Sequence, residues 1–287
     1  IMKIIKYFFE FIFIYVFLII FKIIGYKNAS NLGALIGKKI GPLFRSNSKI
    51  QSNLENSNIG SSEEDRKSII NNMWGNYGRI LSEYVYLKQF RKNNLNQFIE
   101  IEGLNYLNEI KNNNKRVVFI SGHFNNFELM AMEIEKAGIN LCAIYRPLNN
   151  PFLNIIMEKI RKNYICKNQI KKGKGGTRDL LNLFKKNFSA ALMIDQRVSE
   201  GENIDLFNNS AKTTTIPAQL VKKYGCDIIP VYIERLKNYH FKLYFNKPIK
   251  FDDNLSIQEI TLELNKILEK MILKNPDQWI WSHDRWK

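Results

Sequence analysis

Residues 117–128 place the strongest constraint on the fold of this 287-residue chain. The stretch begins with β-branched and aromatic residues, which predict a buried strand, and Gly122 interrupts that run. Apolar residues then recur at helical spacing from Phe127 onwards, so a helix follows. His123 therefore lies at the carboxyl end of a predicted strand, where open α/β sheets bind their ligands. Glu128 follows about one and a half helical turns later, so the two side chains meet only if His123 lies on the turn before the helix.

Strand and helix patterns continue to alternate along the chain after this stretch. The predicted strands cover residues 116–121, 141–145, 190–194, 227–233 and 240–245, the last being an antiparallel edge strand. The predicted helices cover residues 127–137, 151–162, 177–186, 217–223 and 257–273. This alternation predicts an α/β fold with a mixed, largely parallel sheet flanked by helices.

The segment at residues 4–24 is apolar and aromatic, interrupted by Lys6, Glu10 and Lys22. Its length suits a membrane span, although Glu10 is costly if it faces lipid. An interfacial helix and a cleaved signal peptide are the alternatives, and no small-x-small cleavage site follows the segment. More lysines and arginines lie after the segment than before it, which places the main body in the cytoplasm. We expect a single-pass anchor at residues 1–27 and a cytoplasmic-side domain at residues 28–287.

Two helical regions are predicted between the anchor and the first strand. Residues 28–58 are polar and punctuated by Gly, Ser and Asn, which favours short helices at the membrane surface. Ser62, followed by three acidic residues, predicts the start of a longer helix. The apolar and aromatic stripe of that helix is more typical of a core than of a binding face.

The net charge of +16 indicates an anionic partner. A source organism whose proteins are generally rich in Lys, Asn and Ile would also give this chain a high net charge, without any functional reason. Neither zinc-finger spacing nor a helix-turn-helix signal is present, so nucleic acid is not an expected partner. The three cysteines are isolated and odd in number, which predicts buried thiols in a reducing compartment.

His123 and Glu128 are the first candidates for chemistry. An imidazole with a carboxylate partner is the usual device for removing a proton from a hydroxyl group. The Gly-x-Ser-x-Gly motif is absent, which favours direct attack by a substrate hydroxyl over a covalent acyl-enzyme. A histidine at a helix start beside a surface glutamate is the alternative. A third zinc ligand at a recognisable spacing is missing, so no metal site is expected.

Other polar residues follow the later strands. Arg146 comes directly after the strand at 141–145, and Asp195 and Gln196 end the strand at 190–194. Asp195 is interpreted as orienting either Arg161 or the substrate. Residues 171–176 form a basic glycine-rich loop before a helix, which is a phosphate-binding arrangement in outline or simply a flexible loop.

The C-terminal stretch at residues 279–286 contains three tryptophans and therefore cannot be a polar tail. We expect it to pack on the body of the protein or on the lipid interface.

Together these residues resemble the bacterial lipid A biosynthesis lauroyl/myristoyl acyltransferase family, over nearly the whole chain. The matching pieces are residues 122–128, residues 145–147 with Asn150, Pro151 and Arg161, Asp195 and Gln196 with Gly201 and Phe207, residues 213–215, Arg235, and residues 279–286. The chain has Asn125 and Phe127 where the family commonly has Gly and Trp, and Asn208-Asn209 where a Phe-Gly pair often stands.

The resemblance implies an inner-membrane enzyme with the glycerolipid-acyltransferase-like fold and no cofactor. Such enzymes transfer an acyl chain from acyl carrier protein to a hydroxyl of a Kdo-bearing lipid A precursor, an anionic glycolipid. It implies that His123 is the general base and Glu128 its partner. It also implies substrate-binding positions at Arg146, Arg161, Asp195 and Gln196, with Arg146 binding a phosphate or the carrier arm.

Two other functions remain open at this point. The same chemistry would serve another glycolipid or an amino-acid-headed lipid as acceptor, or coenzyme A as donor. A non-catalytic membrane-tethered protein that binds lipid or nucleic acid is the alternative from a different class.

Overall fold

The computed structural model describes residues 2–286, apart from the side chain of Lys174. Residues 1 and 287, which end the two segments expected from the sequence, lie outside the described part. The helices are α1 (Met2–Ile23), α2 (Tyr26–Phe44), α3 (Asn47–Asn56), α4 (Glu63–Glu83), α5 (Leu87–Arg91), α6 (Leu104–Asn112), α7 (Glu128–Lys136), α8 (Pro151–Ile160), α9 (Lys174–Lys185), α10 (Ile216–Tyr224) and α11 (Ile257–Lys274). The strands are β1 (Ile99–Glu102), β2 (Val118–Ser121), β3 (Leu141–Tyr145), β4 (Asn168–Lys171), β5 (Ser189–Met193), β6 (Glu202–Leu206), β7 (Asn209–Thr213), β8 (Ile228–Arg235) and β9 (Phe241–Phe245).

Seven of these strands form one mixed sheet in the order β1-β9-β8-β2-β5-β3-β4. The five strands β8, β2, β5, β3 and β4 run parallel to one another, and β6 and β7 form a separate hairpin. The predicted fold class is therefore confirmed. β2 is buried at all four positions, as its continuous apolar run predicts for a strand covered on both faces.

One sequence prediction about the sheet was wrong. β9 is antiparallel to β8, as expected, but it is not an edge strand, because β1 pairs with it in parallel and occupies the edge. β1 escaped prediction because it has only four residues, Ile-Glu-Ile-Glu, whose alternate burial gives a weak signal.

The helices before the sheet differ in part from the prediction. Ser62 caps the start of α4 with a capping box, in which its hydroxyl accepts a hydrogen bond from the backbone N–H of Asp65 at 3.0 Å. The region at 28–58 forms α2 and α3, and α2 is 19 residues long rather than short. Gly37 and Gly78 lie where α2 meets α4, and a Cβ on either would overlap the facing backbone. The glycines that suggested loops therefore allow two helices to pack closely.

The C-terminal stretch packs on the body, which confirms one of the two placements expected for it. Trp279 and Trp281 are buried, and Trp279 forms an isolated β-bridge with Phe124. The side-chain amide of Asn53 donates hydrogen bonds to the carbonyl oxygens of Trp281 and His283 at 2.7 and 2.8 Å. Residues 279–283 are thus fixed beside the turn that carries His123.

Candidate active site

His123 lies on the turn between β2 and α7, at the carboxyl edge of the sheet. Gly122, directly before it, lies in a crowded position that favours glycine, with Leu268 of α11 3.0 Å from where a Cβ would lie. A Cβ on Gly122 would lie 2.9 Å from the ring of Phe124 and 3.3 Å from the Cβ of Asp195. Glycine therefore allows the end of β5 to come close to His123.

Asp195 holds His123 through two hydrogen bonds. Its Oδ1 atom lies 2.8 Å from Nδ1 of the imidazole, and its Oδ2 atom accepts the backbone N–H of His123 at 2.8 Å. Oδ2 also accepts the indole N–H of Trp279 at 2.9 Å. Because a carboxylate accepts hydrogen bonds, Nδ1 carries the proton and Nε2 presents its lone pair. None of the described residues forms a hydrogen bond with Nε2, so this atom is free to accept a proton from a substrate.

The electrostatics of the pair favour a charged imidazole. Burial by itself lowers the pKa of His123, but the charge of Asp195 and its hydrogen bond raise that pKa above the ordinary value of 6.5. Burial opposes the ionised form of Asp195 as well. The charge of His123 and the hydrogen bonds from His123 and Trp279 nevertheless lower the pKa of Asp195 to about 2. Asp195 is therefore a carboxylate at neutral pH and stabilises the imidazolium that proton abstraction creates.

Glu128 lies in a second cluster beside His123. One of its oxygens, Oε1, accepts hydrogen bonds from Nε and Nη2 of Arg161 at 2.8 and 2.7 Å, and another from the Tyr84 hydroxyl. The negative charge of Glu128 acts on the pKa of His123, raising it. The sequence interpretation paired Glu128 with His123, whereas the structure gives the imidazole Asp195 as its hydrogen-bond partner. The interpretation that Asp195 orients Arg161 was wrong, because Asp195 binds His123 and Arg161 pairs with Glu128.

Arg161 begins a π-helical turn, Arg161–Ile165, that continues from α8. Single π-turns of this kind occur frequently at functional sites. Its guanidinium carbon lies 5.6 Å from the centre of the Tyr145 ring, and its Nη2 donates a hydrogen bond to the Tyr84 hydroxyl at 3.2 Å. The side chain is 13% exposed, so the paired cation borders the site instead of projecting into solvent.

The two remaining predicted site residues lie at the same edge of the sheet. Arg146 follows β3 and Gln196 follows Asp195 after β5, and these strands are neighbours. Arg146 is exposed and forms no hydrogen bond or ion pair with any described residue. Gln196 is partly exposed. Arg146 is therefore available to bind an anion from outside the protein.

The basic glycine-rich stretch at residues 171–176 was predicted to be a loop, but it runs from the last residue of β4 into the first turn of α9, further along the same edge. Gly173 has a φ of +146°, a conformation that favours glycine. The ammonium group of Lys171 pairs with Glu158 at 3.0 Å, so part of the positive charge of this stretch is already neutralised.

A buried ion pair that sequence reasoning missed supports the turn after His123. Glu83 and Arg235 are both buried, and Oε1 of Glu83 accepts Nη1 of Arg235 at 2.7 Å. Asn126 donates a hydrogen bond to Oε2 of Glu83 at 3.2 Å. Arg235 belongs to the family resemblance, but nothing in the local sequence around Glu83 marks it as buried.

Asn125 links the same turn to three other parts of the chain. Its amide nitrogen donates to the carbonyl oxygen of Ile233 and to Oε1 of Gln278, at 3.0 and 2.7 Å. Its side-chain oxygen accepts a hydrogen bond from Asn76 at 2.7 Å. Asn125 has a φ of +41°, which asparagine tolerates better than most residues do. The residue that replaces the commoner Gly is thus compatible with the backbone of the turn.

His283 is a further imidazole near the site. Burial lowers its pKa. The charge of Asp195 acts to raise this pKa, and the charge of His123 acts to lower it. Its Nδ1 atom is buried and has no hydrogen-bond partner among the described residues. The tryptophan-rich C-terminal motif was the sequence signal that pointed to this region.

The family model for "Bacterial lipid A biosynthesis acyltransferase" matches residues 2–287. The chain belongs to this family. The match covers the His123 turn, the Glu128–Arg161 pair and the C-terminal segment, so the site lies within the part that defines the family.

Curated relatives in this family are distant in sequence. The chain is 25% identical over 264 residues to the lipid A biosynthesis palmitoleoyltransferase of Escherichia coli K12, covering 89% of this chain and 84% of the relative. It is 22% identical over 263 residues to the lauroyltransferase of the same organism, with the same coverage. It is 20% identical over 225 residues to the myristoyltransferase, covering 77% of this chain and 68% of the relative. The three relatives are named for different acyl chains, so family membership leaves the acyl length open.

Proposed function

We propose that this protein transfers a fatty acyl chain from acyl carrier protein to a hydroxyl of a lipid A precursor of the Kdo-bearing type. Membership of the lipid A acyltransferase family supports acyl transfer in lipid A biosynthesis. The observation that carries the mechanism is the geometry of His123, whose Nδ1 is held by Asp195 while Nε2 has no partner among the described residues.

His123 acts in this proposal as the general base, through the His-x₄-Glu turn. Nε2 takes the proton of the acceptor hydroxyl as its oxygen attacks the thioester carbonyl carbon, which gives a tetrahedral oxyanion. Asp195 stabilises the imidazolium formed at this point. The oxyanion then collapses to the ester, the C–S bond breaks, and the thiolate of the carrier takes the proton from Nε2. The imidazole is neutral again at the end of the cycle.

Direct transfer without an acyl-enzyme agrees with the state of the cysteine thiols. Cys142, Cys166 and Cys226 are buried, and burial raises the pKa of each thiol, to about 12, 12 and 11 respectively. A thiol needs its thiolate form to act as a nucleophile, and these three are protonated at neutral pH.

The positive groups at the edge suit both proposed substrates. Acyl carrier protein and the lipid A precursor are both anionic, and the chain carries a net charge of +16. Arg146 is the exposed cation of the site and is proposed to bind a phosphate of the acceptor or of the carrier arm. Arg161, oriented by Glu128, and Gln196 are proposed to complete the substrate-binding positions.

The protein is proposed to work at the cytoplasmic face of the inner membrane, with α1 as its anchor. α1 is the one helix in the described part of the chain that is long and apolar enough to cross a membrane. Acyl carrier proteins are cytoplasmic, so a donor of this kind requires the catalytic body to face the cytoplasm.

Lipid analysis of cells with and without the protein tests this proposal. We expect lipid A from cells that lack the protein to be lighter by one acyl chain, as read by mass spectrometry. Expression of the wild-type protein should restore that mass, and the His123→Ala and Glu128→Ala variants should not. His240→Ala, the same change in the hairpin between β8 and β9, is the matched control and should restore it.

Two results would contradict the proposal. Full restoration by His123→Ala would exclude the mechanism. An unchanged lipid A mass in cells that lack the protein, with one acyl chain missing from another lipid, would reassign the acceptor to a different glycolipid or to an amino-acid lipid.

A further inference from the structure

One face of α1 packs against the body of the protein along most of its length. The residues of this face recur at helical spacing: Phe21 is buried, and Tyr7, Glu10, Phe11, Ile14 and Phe17 are partly buried. From Tyr7 to Phe21 this stripe extends for about 21 Å, at 1.5 Å per residue. The helix is therefore docked lengthwise and does not project from the body.

Contacts near both ends of α1 fix this arrangement. Near the N-terminal end, the side-chain amide of Asn150 donates a hydrogen bond to the carbonyl oxygen of Tyr7 at 2.8 Å and lies 3.5 Å from Oε2 of Glu10. Near the C-terminal end, the Tyr86 hydroxyl donates to the carbonyl oxygen of Phe21 at 2.6 Å. Glu10 thus lies between this polar group of the body and the ammonium group of Lys6, which is 3.8 Å from its Oε1 atom, and its side chain is 42% exposed.

The body presents its catalytic edge to α1. Asn150 lies in the loop after the carboxyl end of β3. The ring of Tyr86 lies 5.5 Å from that of Tyr26, whose hydroxyl donates to the carbonyl oxygen of Tyr239, in the turn after β8. Because β3 and β8 both run parallel to β2, these contacts are at the edge of the sheet that carries His123.

The opposite face of α1 is apolar and uncovered. Phe9 and Phe13 are 65% and 62% exposed, and Ile155 on the adjoining helix α8 is 69% exposed. Rings of α1 and α8 are in contact, with the centres of Phe8 and Phe152 5.7 Å apart, so the two helices form one surface. A continuous exposed apolar surface on two adjoining helices requires an apolar partner. Lys6 and Lys22 lie at its margins and suit anionic lipid headgroups.

A helix that crossed the bilayer could not keep these contacts at an acceptable cost. About 21 Å of docked length would carry the adjoining body through most of a hydrocarbon core of about 30 Å. That body includes α8 and the turn after it, where Lys159 and Lys162 are exposed. Charged side chains are costly inside hydrocarbon and are rare there.

We propose that α1 lies in the plane of the membrane interface and does not cross the bilayer. Its uncovered face inserts among the acyl chains, and its docked face holds the catalytic edge of the sheet against the headgroups. The partner of this surface is the lipid bilayer. The inference rests on the contacts of α1 and does not require the proposed acyl transfer.

Depth measurements on the purified, reconstituted full chain test this orientation. Ile5→Cys, Phe13→Cys and Ile20→Cys, each labelled with an environment-sensitive fluorophore, report on three positions along the uncovered face. The native cysteines are buried, so the unsubstituted protein gives the labelling background. We expect lipids brominated at defined depths to place all three labels at one shallow depth, about 5–10 Å into the boundary. Leu104→Cys is the control. Because β1 runs in the opposite direction to β8, the exposed Leu104 that follows it lies at the edge of the sheet away from His123, and a label there should not be quenched.

A deep label at Phe13 with shallower labels at Ile5 and Ile20, separated by about 11 Å in depth, would overturn the proposal in favour of a span. Absence of quenching at all three positions would overturn it as well. Labelling of Lys3→Cys and Lys39→Cys by a membrane-impermeant maleimide gives an independent check in sealed membranes. Reaction of both from the same side is expected, and reaction from opposite sides would contradict the in-plane helix. None of these readouts depends on activity, so a failed acyltransferase assay would leave them interpretable.

Discussion

Asp195 fixes His123 at two points, because its Oδ2 atom accepts the backbone N–H and its Oδ1 atom contacts Nδ1 of the ring, both at 2.8 Å. The register of the sheet produces this contact. Ser121 of β2 pairs with Met193 of β5, and His123 and Asp195 each lie two residues beyond the paired positions. The same carboxylate therefore positions the base, selects its tautomer and raises its pKa.

The Asp195→Asn variant tests that relationship. Asparagine keeps one acceptor oxygen but directs an NH₂ group at an N–H donor, and it removes the negative charge. We expect the rate of transfer to fall by about 10²- to 10⁴-fold. In the wild type, activity should rise with pH through a His123 pKa above 6.5, because the base must be neutral. In the variant this acid limb should move to lower pH, and a pH–rate profile that keeps the wild-type limb would contradict the assignment.

The Glu128–Arg161 pair is tested by a double-mutant cycle. If Glu128 acts by orienting Arg161, the Glu128→Ala/Arg161→Ala double variant should be about as impaired as the worse single variant. Steady-state kinetics with the acceptor lipid varied measures this, and the loss should appear in kcat/KM. Additive losses would instead assign Glu128 an action that does not pass through Arg161.

Two tryptophans allow a matched comparison of hydrogen bonds. Trp279 donates to the buried carboxylate of Asp195 at 2.9 Å, whereas Trp286 donates to the neutral carbonyl oxygen of Leu206 at 3.2 Å. We expect Trp279→Phe to destabilise the protein by about 1.5–3 kcal/mol and Trp286→Phe by about 0.5–1.5 kcal/mol, because bonds to charged groups are stronger. Thermal unfolding in detergent gives the comparison, and equal shifts in Tm would contradict it. Only Trp279→Phe should also lower activity.

The buried pair Glu83–Arg235 is expected to matter more for stability than any surface pair. Arg235→Met leaves the Glu83 carboxylate buried without its cation, which costs about 3–5 kcal/mol. The double variant Glu83→Gln/Arg235→Met should recover part of that loss. Lys266→Met, which breaks an exposed pair with Glu263, is the control and should leave Tm unchanged. A Tm for Arg235→Met equal to that of the control would show that the pair does not support the turn.

The elements that could be predicted from the sequence are those marked by a residue pattern within a single short stretch. β3 has the predicted bounds, and β2 differs from its prediction by two residues, because continuous apolar runs mark buried strands. The capping box at Ser62 is equally local. The short strands β1 and β4 carry too few residues for a pattern to emerge, and their pairing depends on neighbours that are distant in the chain.

The site was only partly predictable for the same reason. His123 and Glu128 lie in one stretch, so their joint presence was visible in the sequence. Asp195 follows 72 positions after His123, and only the pairing of β2 with β5 brings the two together. The role of Glu83 as a buried counter-ion depends on the packing of α4 against the end of β8, which no local pattern encodes.

A direct assay of acyl transfer uses purified protein, a purified Kdo-bearing lipid A precursor and a panel of acyl carriers of different chain length. Mass spectrometry of the product measures the acyl chain added. The proposed function predicts an increase by one acyl chain with at least one acyl carrier protein donor, and no increase with the His123→Ala variant. An unchanged precursor mass with every acyl carrier, or an equal gain with His123→Ala, would contradict it.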